Sequence, residues 1–490
     1  MQMLKVAVLT EGGIGSGLGH ITRCLGLYEA LEEFNCSPIL IVNGDDSLKN
    51  ILKGKKHFLN QWTENYKDNK RLNDAQILII DSYLANEEMY HYVSDNFPCP
   101  VFLDDNIRLK YPKGIVVNGA VYAETMNYPK NPDINYLLGS RYTPLRKTFW
   151  NVPGKIISDK ITTCLIAMGG NDTRNLIPGI IALLREKFPA MHLKVIIGNS
   201  FDHISDIKKY ANNSVELIYN ADAKKMKEVM MTADIAISAA GQTLYELACI
   251  GLPTIAIQIA DNQKGNVNGC LKAEFIEFAG KWDDKELFEN ILKNIQKLSD
   301  KKQRQLKSEI GQKWMDGQGS KRIAKKVLEC YFEKNMHLRK AFSEDVEIIY
   351  ELSNDDEVRK NSFNQDKIEF SQHQKWFNQK INSENCLTLI AESNKEMIGQ
   401  IRFDVEKDVV VSISVHKNYR NLGIGNLMMK KALQFLKNSY PEVEKVVAFV
   451  KENNIASKKY FEKCNFKFIK TLLIKKFTSS QYNYYFEKTQ

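Results

Sequence analysis

A glycine-rich stretch followed by a histidine lies close to the start of the chain. These residue types could form a catalytic loop. The stretch runs from Gly12 to Gly19, and His20 comes directly after it. Lys5 to Leu9 form an apolar run typical of a buried parallel strand, and apolar residues recur at helical spacing after His20. The pattern predicts a strand-to-helix loop with His20 near the helix N-terminus. There the helix dipole favours an anionic ligand, and a neutral imidazole can act as a base.

This loop on its own is compatible with more than one use. Its glycines lack the G-x-G-x-x-G spacing of a dinucleotide site, and no acidic residue suited to a ribose follows the second predicted strand. A histidine that only caps the helix is the alternative to a catalytic base, and the motif does not decide between them. The choice depends on what the neighbouring elements bring to His20.

Length and charge restrict the class of protein. At 490 residues the chain is long enough for two or three domains, and its net charge of +9 comes mostly from lysines scattered through it. Scattered lysines suit anionic small molecules such as nucleotides or coenzyme A, and they do not indicate a nucleic-acid partner. An oligomer is possible but not indicated.

The sequence predicts neither a membrane anchor nor a metal site. No apolar run approaches the ~20 residues that a membrane helix needs, and the first residues lack the apolar core of a signal peptide. The cysteines include no C-x-x-C pair, so no zinc site is indicated. We therefore expect a cytoplasmic protein without membrane insertion and without a metal.

Polar residues follow the predicted strands of the first 155 residues. They are Asp81 to Tyr83, Asp104 with Asp105, and Asn118. A turn or a helix cap would explain any one of them, but open α/β sheets bind ligands at the carboxyl ends of their strands. Their recurrence at the same strand end favours a ligand site.

The next α/β segment repeats this arrangement. Its first predicted strand leads into Gly169 and Gly170, and a later one leads through Gly241 to Thr243 at the start of a helix. Backbone amides and a hydroxyl at such a turn can hold a diphosphate, and Glu246 on the first helical turn can accept hydrogen bonds from ribose hydroxyls. The segment therefore predicts a site for a nucleoside diphosphate.

The last segment carries another glycine loop. Three predicted strands lead into Arg420-x-x-Gly423-x-Gly425, and a helix follows. Backbone amides at that helix N-terminus can cradle the diphosphate of acetyl-CoA. A further segment containing Asn453 and Tyr460 follows at a suitable distance, which argues against an ordinary turn.

These residues together resemble two known families. Residues 1 to about 333 resemble the UDP-2,4-diacetamido-2,4,6-trideoxy-β-L-altropyranose hydrolases of pseudaminic acid biosynthesis, which share the GT-B architecture of nucleotide-sugar enzymes. The last segment looks like a GNAT acetyltransferase. The ordered series that carries the first resemblance is Ile14-Gly15…Gly19-His20-Ile21…Arg23-Cys24, Asp81-Ser82-Tyr83, Asp104-Asp105, Leu137-Leu138-Gly139…Tyr142…Leu145-Arg146, Gly169-Gly170-Asn171-Asp172, Ser238-Ala239-Ala240-Gly241-Gln242-Thr243…Glu246, Asn262-Gln263 and Asp316-Gly317-Gln318-Gly319.

The resemblance implies the fold class and the domain limits. The expected fold is α/β, with two Rossmann-like domains in GT-B arrangement followed by a GNAT α/β domain. The implied limits are 1–155 for the first Rossmann-like domain, 156–335 for the UDP-binding one and 336–490 for the acetyltransferase. One departure stands out: many members of the hydrolase family carry Arg-x-Asp after the first strand, where this chain has Leu9-Thr10-Glu11.

For the hydrolase part, the resemblance implies an inverting, metal-independent reaction in which water displaces UDP at the anomeric carbon. His20 would deprotonate that water, with Tyr83 and Asn262 as active-site neighbours. Amides and a helix dipole in the second domain would stabilise the departing diphosphate, so no dedicated acid is required. The implied substrate-binding residues are Gly17, Gly19, Arg23, Asp81, Gly169, Gly170, Ser238, Gly241, Gln242, Thr243, Glu246 and Gln263.

For the acetyltransferase part, the resemblance implies acetyl-CoA as co-substrate and Tyr460 as the acid that protonates the leaving thiolate. A role of Tyr460 in core packing is the alternative. The base that accepts the amine proton stays open between Glu392, His416 and a water chain through Ser412 and Ser414. The implied cofactor-binding residues are Val415, Arg420, Gly423, Gly425, Asn453 and Ser457.

The fusion implies two consecutive steps on one UDP-linked amino sugar. The 4-amine of a UDP-4-amino-4,6-dideoxy-2-acetamido sugar would be acetylated, and UDP would then be removed by hydrolysis. Two alternatives come from other classes: a GT-B glycosyltransferase fused to an acetyltransferase of different substrate, and an inactive sugar-nucleotide sensor. Intact His20, Gly241 and Gly425 argue against the sensor, and UDP release without an acceptor would separate hydrolase from transferase. The sequence does not specify the sugar isomer or the acyl group.

Overall fold

The computed structural model describes residues 3–13, 17–64, 66–67, 70–198, 201 and 204–487. Ile14, Gly15 and Ser16 of the predicted glycine-rich loop lie outside the described residues. Contacts divide the chain into two compact units, one that extends to Val327 and one that begins at Leu328. This division falls inside a single helix, which ends at Asn335. The predicted domain limit at residue 335 is the end of that helix.

The first Rossmann-like domain is built around a seven-stranded parallel sheet. Its strands are β1 (Lys5–Glu11), β2 (Ser37–Asn43), β3 (His57–Leu59), β4 (Ile77–Asp81), β5 (Val101–Leu103), β6 (Gly114–Asn118) and β7 (Ile134–Leu138). Their order in the sheet is β3-β2-β1-β4-β5-β6-β7. The helices are α1 (Gly19–Glu33), α2 (Lys70–Asn73) and α3 (Glu87–Asn96). The central strands are apolar and buried along their length, as parallel strands covered on both faces must be.

The second Rossmann-like domain has a six-stranded parallel sheet. Its strands are β8 (Thr163–Ala167), β9 (His192–Ile197), β10 (Val215–Tyr219), β11 (Ile235–Ala239), β12 (Thr254–Gln258) and β13 (Ile276–Lys281). Its helices are α4 (Leu176–Lys187), α5 (Ile204–Lys208), α6 (Ala223–Thr232), α7 (Thr243–Ile250), α8 (Lys264–Lys272), α9 (Leu287–Leu298), α10 (Lys301–Trp314) and α11 (Gly319–Asn335). The strand order β10-β9-β8-β11-β12-β13 reverses direction beside β8, where doubly wound sheets open a ligand crevice. Apolar clusters cover both faces of the sheet.

Two glycines mark where the Rossmann-like domains meet. A Cβ atom at Gly265 of α8 would lie 2.5 Å from the ring of Tyr122, so only glycine permits this approach. A Cβ atom at Gly170, in the loop after β8, would lie 3.5 Å from the side chain of Leu18, in the loop after β1. The loop after β1 and the loop after β8 therefore face each other.

The C-terminal unit contains a seven-stranded mixed sheet. Its strands are β14 (His337–Lys340), β15 (Cys386–Ser393), β16 (Glu396–Val405), β17 (Val409–Val415), β18 (Lys445–Lys451), β19 (Lys467–Ile474) and β20 (Phe477–Tyr485). The helices are α12 (Val346–Ser353), α13 (Asp356–Asn361), α14 (Phe370–Ile381), α15 (Ile424–Ser439) and α16 (Ile455–Lys463). The strand order is β14-β15-β16-β17-β18-β20-β19, and only β17 and β18 run parallel.

β17 and β18 diverge soon after they begin. Their pairs are Val409 with Val446 and Val410 with Val447, although each strand is seven residues long. Within the described residues, the rest of β17 up to Val415 has no partner strand on this side. Backbone amide and carbonyl groups along the opening can therefore bind an extended ligand.

The sequence pattern did not predict the hairpin of β19 and β20. Most residues of β19 are exposed, including Lys467, Phe468 and Lys470, so the strand lacks the alternation of apolar and polar residues that marks a half-buried strand. Tertiary pairing with β20 holds it in the sheet instead.

Candidate active site

His20 is the second residue of α1, and its ring contacts the carboxylate of Asp81 at the end of β4. Parallel pairing of β1 with β4 sets Asp81 opposite Thr10, next to the loop that leads into α1. The distance between His20 Nδ1 and Asp81 Oδ1 is 2.6 Å, and Asp81 is fully buried. Because an ionised carboxylate only accepts hydrogen bonds, Nδ1 carries the proton and donates it to Asp81. This leaves Nε2 as the basic nitrogen of His20.

Arg23 lies one helical turn after His20 and holds two carboxylates. Its Nε and Nη2 donate to the two oxygens of Asp81 at 2.6 Å each, and its Nη1 donates to Asp105 Oδ1 at 2.6 Å. Burial acts to raise the pKa of the Asp81 carboxyl, but the charges of Arg23 and His20 outweigh it and hold this pKa well below its ordinary value. Asp81 therefore stays ionised beside the imidazole.

Tyr83 completes a cluster of side chains that we call the ring around His20. It consists of His20, Arg23, Asp81, Tyr83 and Asp105. The Tyr83 hydroxyl donates to Asp105 Oδ2 at 2.6 Å, and its aromatic ring meets the imidazole edge to face with 4.7 Å between the centroids. Burial and then the charge of Asp105 raise the pKa of Tyr83 far above its ordinary value, so the phenol stays protonated. The backbone carbonyl of Asp105 also accepts a hydrogen bond from the Tyr122 hydroxyl at 3.2 Å.

Glu11, the last residue of β1, fixes the backbone that carries Tyr83. The backbone N–H of Tyr83 donates to Glu11 Oε1 at 2.8 Å, and the Ser82 hydroxyl donates to Glu11 Oε2. The sequence marked Glu11 only as a departure from the family pattern, and it marked Asp105 only as one of the strand-end polar residues that favour a ligand site. The signal for both residues was an acidic side chain at the carboxyl end of a predicted strand.

Three of the predicted binding glycines leave their backbone accessible. A Cβ atom built at Gly17, Gly19 or Gly169 would have no heavy atom within 4 Å among the described residues beyond its chain neighbours. Gly17 and Gly169 have φ angles of +75° and +86°, which favour glycine. A ligand can therefore approach the backbone of both loops closely.

The predicted residues of the second domain surround the turn between β11 and α7. Gly241 and Gln242 lie between the end of β11 and Thr243, the first residue of α7. A Cβ atom at Gly241 would lie 3.7 Å from Gln263 Nε2, so Gln263 borders the turn. Ser238 is fully buried, and its hydroxyl donates to a neighbouring backbone carbonyl at 3.1 Å.

Glu246 and Asn262 make no hydrogen bond to His20, Arg23 or Tyr83 among the described residues. Glu246 Oε1 accepts hydrogen bonds from Arg146 Nη2 at 2.6 Å and Nε at 3.1 Å, and both side chains are largely buried. Asn262 is exposed in a short 3-10 turn, Asp261–Gln263, and makes no hydrogen bond to His20 in the described part of the chain. Ribose recognition by Glu246 and catalysis by Asn262 stay predictions.

In the C-terminal unit, Gly423 and Gly425 form the start of α15. Gly423 has a φ angle of +80°, in the region that favours glycine. A Cβ atom there would lie 2.6 Å from the carboxylate of Glu329 on α11. One at Gly425 would lie 3.0 Å from the ring of Tyr460. The loop therefore packs closely enough that any side chain would disturb it.

Tyr460 and Arg420 hold this loop from two sides. The Tyr460 hydroxyl donates to the Gly425 carbonyl at 2.9 Å, and burial raises the pKa of the phenol, so it keeps its proton. Arg420 Nε donates to the Val415 carbonyl at 3.0 Å, and its Nη2 pairs with Asp355 at 2.6 Å. The structure thus brings Val415, Arg420, Gly425 and Tyr460 to the loop before α15.

Asn453 and Ser457 lie at the start of α16. The side chain that caps this helix belongs to Asn454, whose Oδ1 accepts from the Ser457 N–H at 3.0 Å. Asn453 is exposed. Binding of acetyl-CoA by either predicted residue stays a prediction.

The structure does not decide which group accepts the proton of the amine. Glu392 accepts a hydrogen bond from Arg339 Nε at 2.8 Å, so this carboxylate is held by a guanidinium. Burial, followed by the charges of Lys417 and Arg420, lowers the pKa of His416, so this imidazole is neutral near pH 7. A neutral His416 remains able to accept a proton.

Two family models match separate parts of the chain. Residues 163–327 match the glycosyltransferase family 28 C-terminal domain. Residues 346–466 match the acetyltransferase (GNAT) family. The chain joins a glycosyltransferase-like fold to a GNAT fold. The predicted fold class, two Rossmann-like domains in GT-B arrangement followed by a GNAT domain, is thereby confirmed.

Three relatives extend these matches. The chain is 23% identical over 496 residues to Uncharacterized protein MJ1062 of Methanocaldococcus jannaschii, covering 95% of this chain and 97% of that protein. It is 24% identical over 264 residues to the pseudaminic acid cytidylyltransferase and UDP-2,4-diacetamido-2,4,6-trideoxy-β-L-altropyranose hydrolase of Helicobacter pylori, covering 53% of this chain and 45% of that protein. It is 21% identical over 296 residues to the spore coat polysaccharide biosynthesis protein SpsG of Bacillus subtilis, covering 53% of this chain and 79% of that protein.

These matches confirm the resemblance drawn from the sequence. They indicate a sugar-nucleotide biosynthesis enzyme that combines a glycosyltransferase-like domain with a GNAT acetyltransferase domain. Among the described residues, no group of histidine, cysteine, aspartate and glutamate side chains is arranged to hold a metal ion. No helix in the same set combines the length and the apolar character needed to cross a bilayer.

Proposed function

We propose that the Rossmann-like domains hydrolyse UDP-2,4-diacetamido-2,4,6-trideoxy-β-L-altropyranose to UDP and the free sugar, and that the GNAT domain acetylates the 4-amine of its precursor with acetyl-CoA. The observation that carries the hydrolase is the 2.6 Å contact between His20 Nδ1 and Asp81, because it leaves Nε2 as a proton acceptor. The named activity of the Helicobacter pylori relative supports this substrate class.

In this mechanism His20 Nε2 takes a proton from water as the water oxygen attacks the anomeric carbon. The bond between that carbon and the diphosphate oxygen breaks, and the configuration inverts. Asp81 stabilises the imidazolium that forms, and it stays ionised because Arg23 holds its pKa down. The proton therefore remains on His20 until it passes to solvent.

Tyr83 orients the attacking water in the same proposal. Its hydroxyl proton is engaged by Asp105, so the phenolic oxygen presents its lone pairs and can accept a hydrogen bond. A water held by Tyr83 and His20 has both hydrogens engaged, and its own lone pair is free to attack. Positioning of this kind lowers the entropic part of the barrier.

The second domain stabilises the leaving UDP. The turn at Gly241 and the first residues of α7 present backbone N–H groups and the positive end of the helix dipole toward the negative charge that develops on the diphosphate. Because UDP leaves as a stable anion, the reaction needs no protein acid beside it.

For the acetyl transfer, the gap between β17 and β18 accepts the extended arm of acetyl-CoA, and the start of α15 holds its diphosphate. Tyr460 protonates the departing thiolate and gives up its hydrogen bond to the Gly425 carbonyl, because its phenol keeps its proton and lies at the loop. The amine nitrogen attacks the thioester carbonyl and loses its proton to the base.

The decisive test measures UDP release from the diacetamido substrate without any acceptor. The His20→Ala variant should release UDP ~10² times more slowly or worse, the scale of a general base, and should still transfer acetyl groups. His91→Asn, which alters an exposed histidine on α3, should change neither rate. Near-normal hydrolysis by folded His20→Ala protein would remove His20 from the mechanism.

The sugar product separates hydrolase from glycosyltransferase. Proton NMR of the early product should show a free sugar with inverted anomeric configuration. A requirement for an added sugar or lipid acceptor before UDP appears would instead establish transfer, and the GT-B fold alone permits either chemistry.

A further inference from the structure

An aromatic and basic cluster lies where β17 and β18 have separated. Lys451 is the last residue of β18, four residues beyond the final pair with β17 at Val447. Lys451 pairs with Ser479 of β20, so Phe477 at the start of β20 lies at this same end of the sheet. The cluster therefore borders the opening in which the acetyl transfer is proposed to occur.

Two rings and two ammonium groups make up this cluster, which consists of Phe363, Lys451, Lys476 and Phe477. The ring centroids of Phe363 and Phe477 are 6.3 Å apart. Lys451 Nζ lies 4.0 Å from the Phe477 centroid, and Lys476 Nζ lies 5.7 Å from it. Both phenylalanines are only partly buried, so their rings remain accessible to a ligand.

Lys451 is an unusual residue to find inside a protein. Its side chain is only 3% exposed, and its Nζ donates to the backbone carbonyl of Lys360 at 2.9 Å. In the described part of the chain no carboxylate pairs with it. The adjacent Glu452 is engaged by Lys458 and by Ser480. Burial, and then the charge of Lys476, lowers the pKa of Lys451, and an anion bound beside it would stabilise its charged form.

We propose that this cluster binds the nucleoside diphosphate portion of the acetyl acceptor. The diphosphate lies against the exposed ammonium of Lys476, with the buried ammonium of Lys451 behind it, and the planar base packs on Phe363 and Phe477. Lysine ammonium groups bind phosphates as point charges, and aromatic rings accept any base by stacking. The assignment rests on the proposed acetylation of a UDP-linked amino sugar, and it adds the site that recognises the UDP part of that substrate.

Coenzyme A also carries a base and phosphates, so the experiment has to separate the two nucleotides. Initial rates of acetyl transfer by the full chain should be measured with the UDP-linked amino sugar varied and then with acetyl-CoA varied. Lys451→Met and Lys476→Met should each raise the KM for the sugar nucleotide roughly tenfold, and leave the KM for acetyl-CoA within twofold. A rise confined to the acetyl-CoA KM would overturn the assignment, as would no change in either.

Matched controls lie on the neighbouring strand. Lys467→Met and Phe468→Leu alter an exposed lysine and an exposed phenylalanine of β19, and they should leave both KM values unchanged. Phe477→Leu should raise the sugar-nucleotide KM. Because Lys476 is exposed, its variant does not depend on the folding of a core position.

Calorimetric titration with UDP tests the cluster independently of catalysis. Two UDP molecules should bind per chain, one to the Rossmann-like domains and one to this cluster, and Lys476→Met with Phe477→Leu should remove one of them. If the wild-type chain binds a second UDP that this variant loses, yet acetylates no UDP-linked amino sugar, then the proposed acetylation fails and the nucleotide site stands. Identical stoichiometry in the wild type and the variant would overturn the site.

Discussion

The ring around His20 and the loop before α15 are two different ways of building a site. The ring consists of charged side chains that hold each other: one guanidinium binds two carboxylates, and one of those carboxylates binds the imidazole. The α15 loop consists mainly of backbone, because glycine at 423 adopts a left-handed conformation and the amides after it lie at a helix N-terminus.

The difference indicates where each site is vulnerable. In the ring, an isosteric change of one charge leaves the shape intact but alters the proton positions. In the loop, the proposed diphosphate contacts come from backbone amides, so the damaging change is the addition of atoms. Chemistry at the first site should therefore respond to charge, and binding at the second should respond to volume and to backbone conformation.

The largest effect is expected from Asp81→Asn. An amide cannot stabilise the imidazolium as a carboxylate does, and it permits the wrong tautomer of His20. The corresponding change in catalytic triads lowers kcat by about 10⁴. Because Asp81 acts through His20, we expect UDP release to fall by about as much as in His20→Ala, ~10²-fold or more, with acetyl transfer unaffected. The measurement is kcat for both reactions on the same preparation.

Two further readouts distinguish catalysis from misfolding in this variant. Asp95→Asn, which alters an exposed carboxylate on α3, serves as the matched control and should keep normal rates. Because the pKa of Asp81 is lowered by folding, its charge stabilises the folded state above its unfolded pKa of about 4, and this stabilisation is lost as the pH falls through the folded pKa. The Tm difference between wild type and Asp81→Asn should therefore shrink below about pH 4, and a constant difference would contradict the ion-pair role.

A smaller effect is expected from Gly423→Ala. The left-handed conformation costs an alanine roughly 1–2 kcal/mol, and the new Cβ would also meet the Glu329 carboxylate. We expect kcat/KM for acetyl-CoA to fall roughly 10- to 30-fold, while hydrolysis stays normal.

Adding Glu329→Ala to Gly423→Ala separates the two causes. This double variant relieves the steric contact but keeps the backbone strain, so it should recover only part of the loss. Full recovery would show that the contact with Glu329, and not the backbone conformation, makes glycine necessary at this position.

The smallest effect concerns the order of the two reactions. A free 4-amine is largely protonated, and the anomeric carbon gains positive charge as UDP leaves. Two full charges ~5 Å apart at an effective dielectric constant of ~20 repel by roughly 3 kcal/mol. Because the transition-state charge is partial, about half of this survives, which is about a tenfold effect on rate. Hydrolysis without acetyl-CoA should be about tenfold faster for the acetamido sugar than for the amino sugar.

Equal kcat/KM values for the two sugars would contradict this order of acetylation before hydrolysis. The same comparison in a chain with Gly423→Trp and Gly425→Trp, which blocks the acetyl-CoA loop, should give the same ratio. An unchanged ratio in this variant would exclude acetylation by traces of acetyl-CoA as the cause of the rate difference.

Local features of the sequence predicted the position of the loop before α15. The glycines at 423 and 425 lie between a strand and a helix, and the conformation that they need is decided within a few residues. His20 was placed correctly at the start of α1 for the same reason. The alternation of apolar runs and helical patterns predicted α/β segments from short-range periodicity, and the resemblance to the two families supplied the GT-B and GNAT arrangement.

The partners within the ring could not be predicted in this way. Asp81 and Arg23 were each expected to bind substrate, and the structure additionally joins them to each other. Their meeting depends on the register of β1 with β4, which sets Asp81 opposite Thr10, and no local pattern encodes that register. The role of Glu11 was missed because it depends on a loop more than seventy residues later.

Tyr122 lies at the interface between the two Rossmann-like domains and is also hydrogen-bonded to the ring around His20. Its ring lies against Gly265, where any added carbon atom would be 2.5 Å away, and its hydroxyl donates to the backbone of Asp105. A substitution at Gly265 would displace the ring and, through this bond, the carboxylate that holds Tyr83. In evolutionary terms, Gly265 should be constrained although it contacts no reacting atom, because a larger residue on α8 would disturb the side chains around His20 in the other domain.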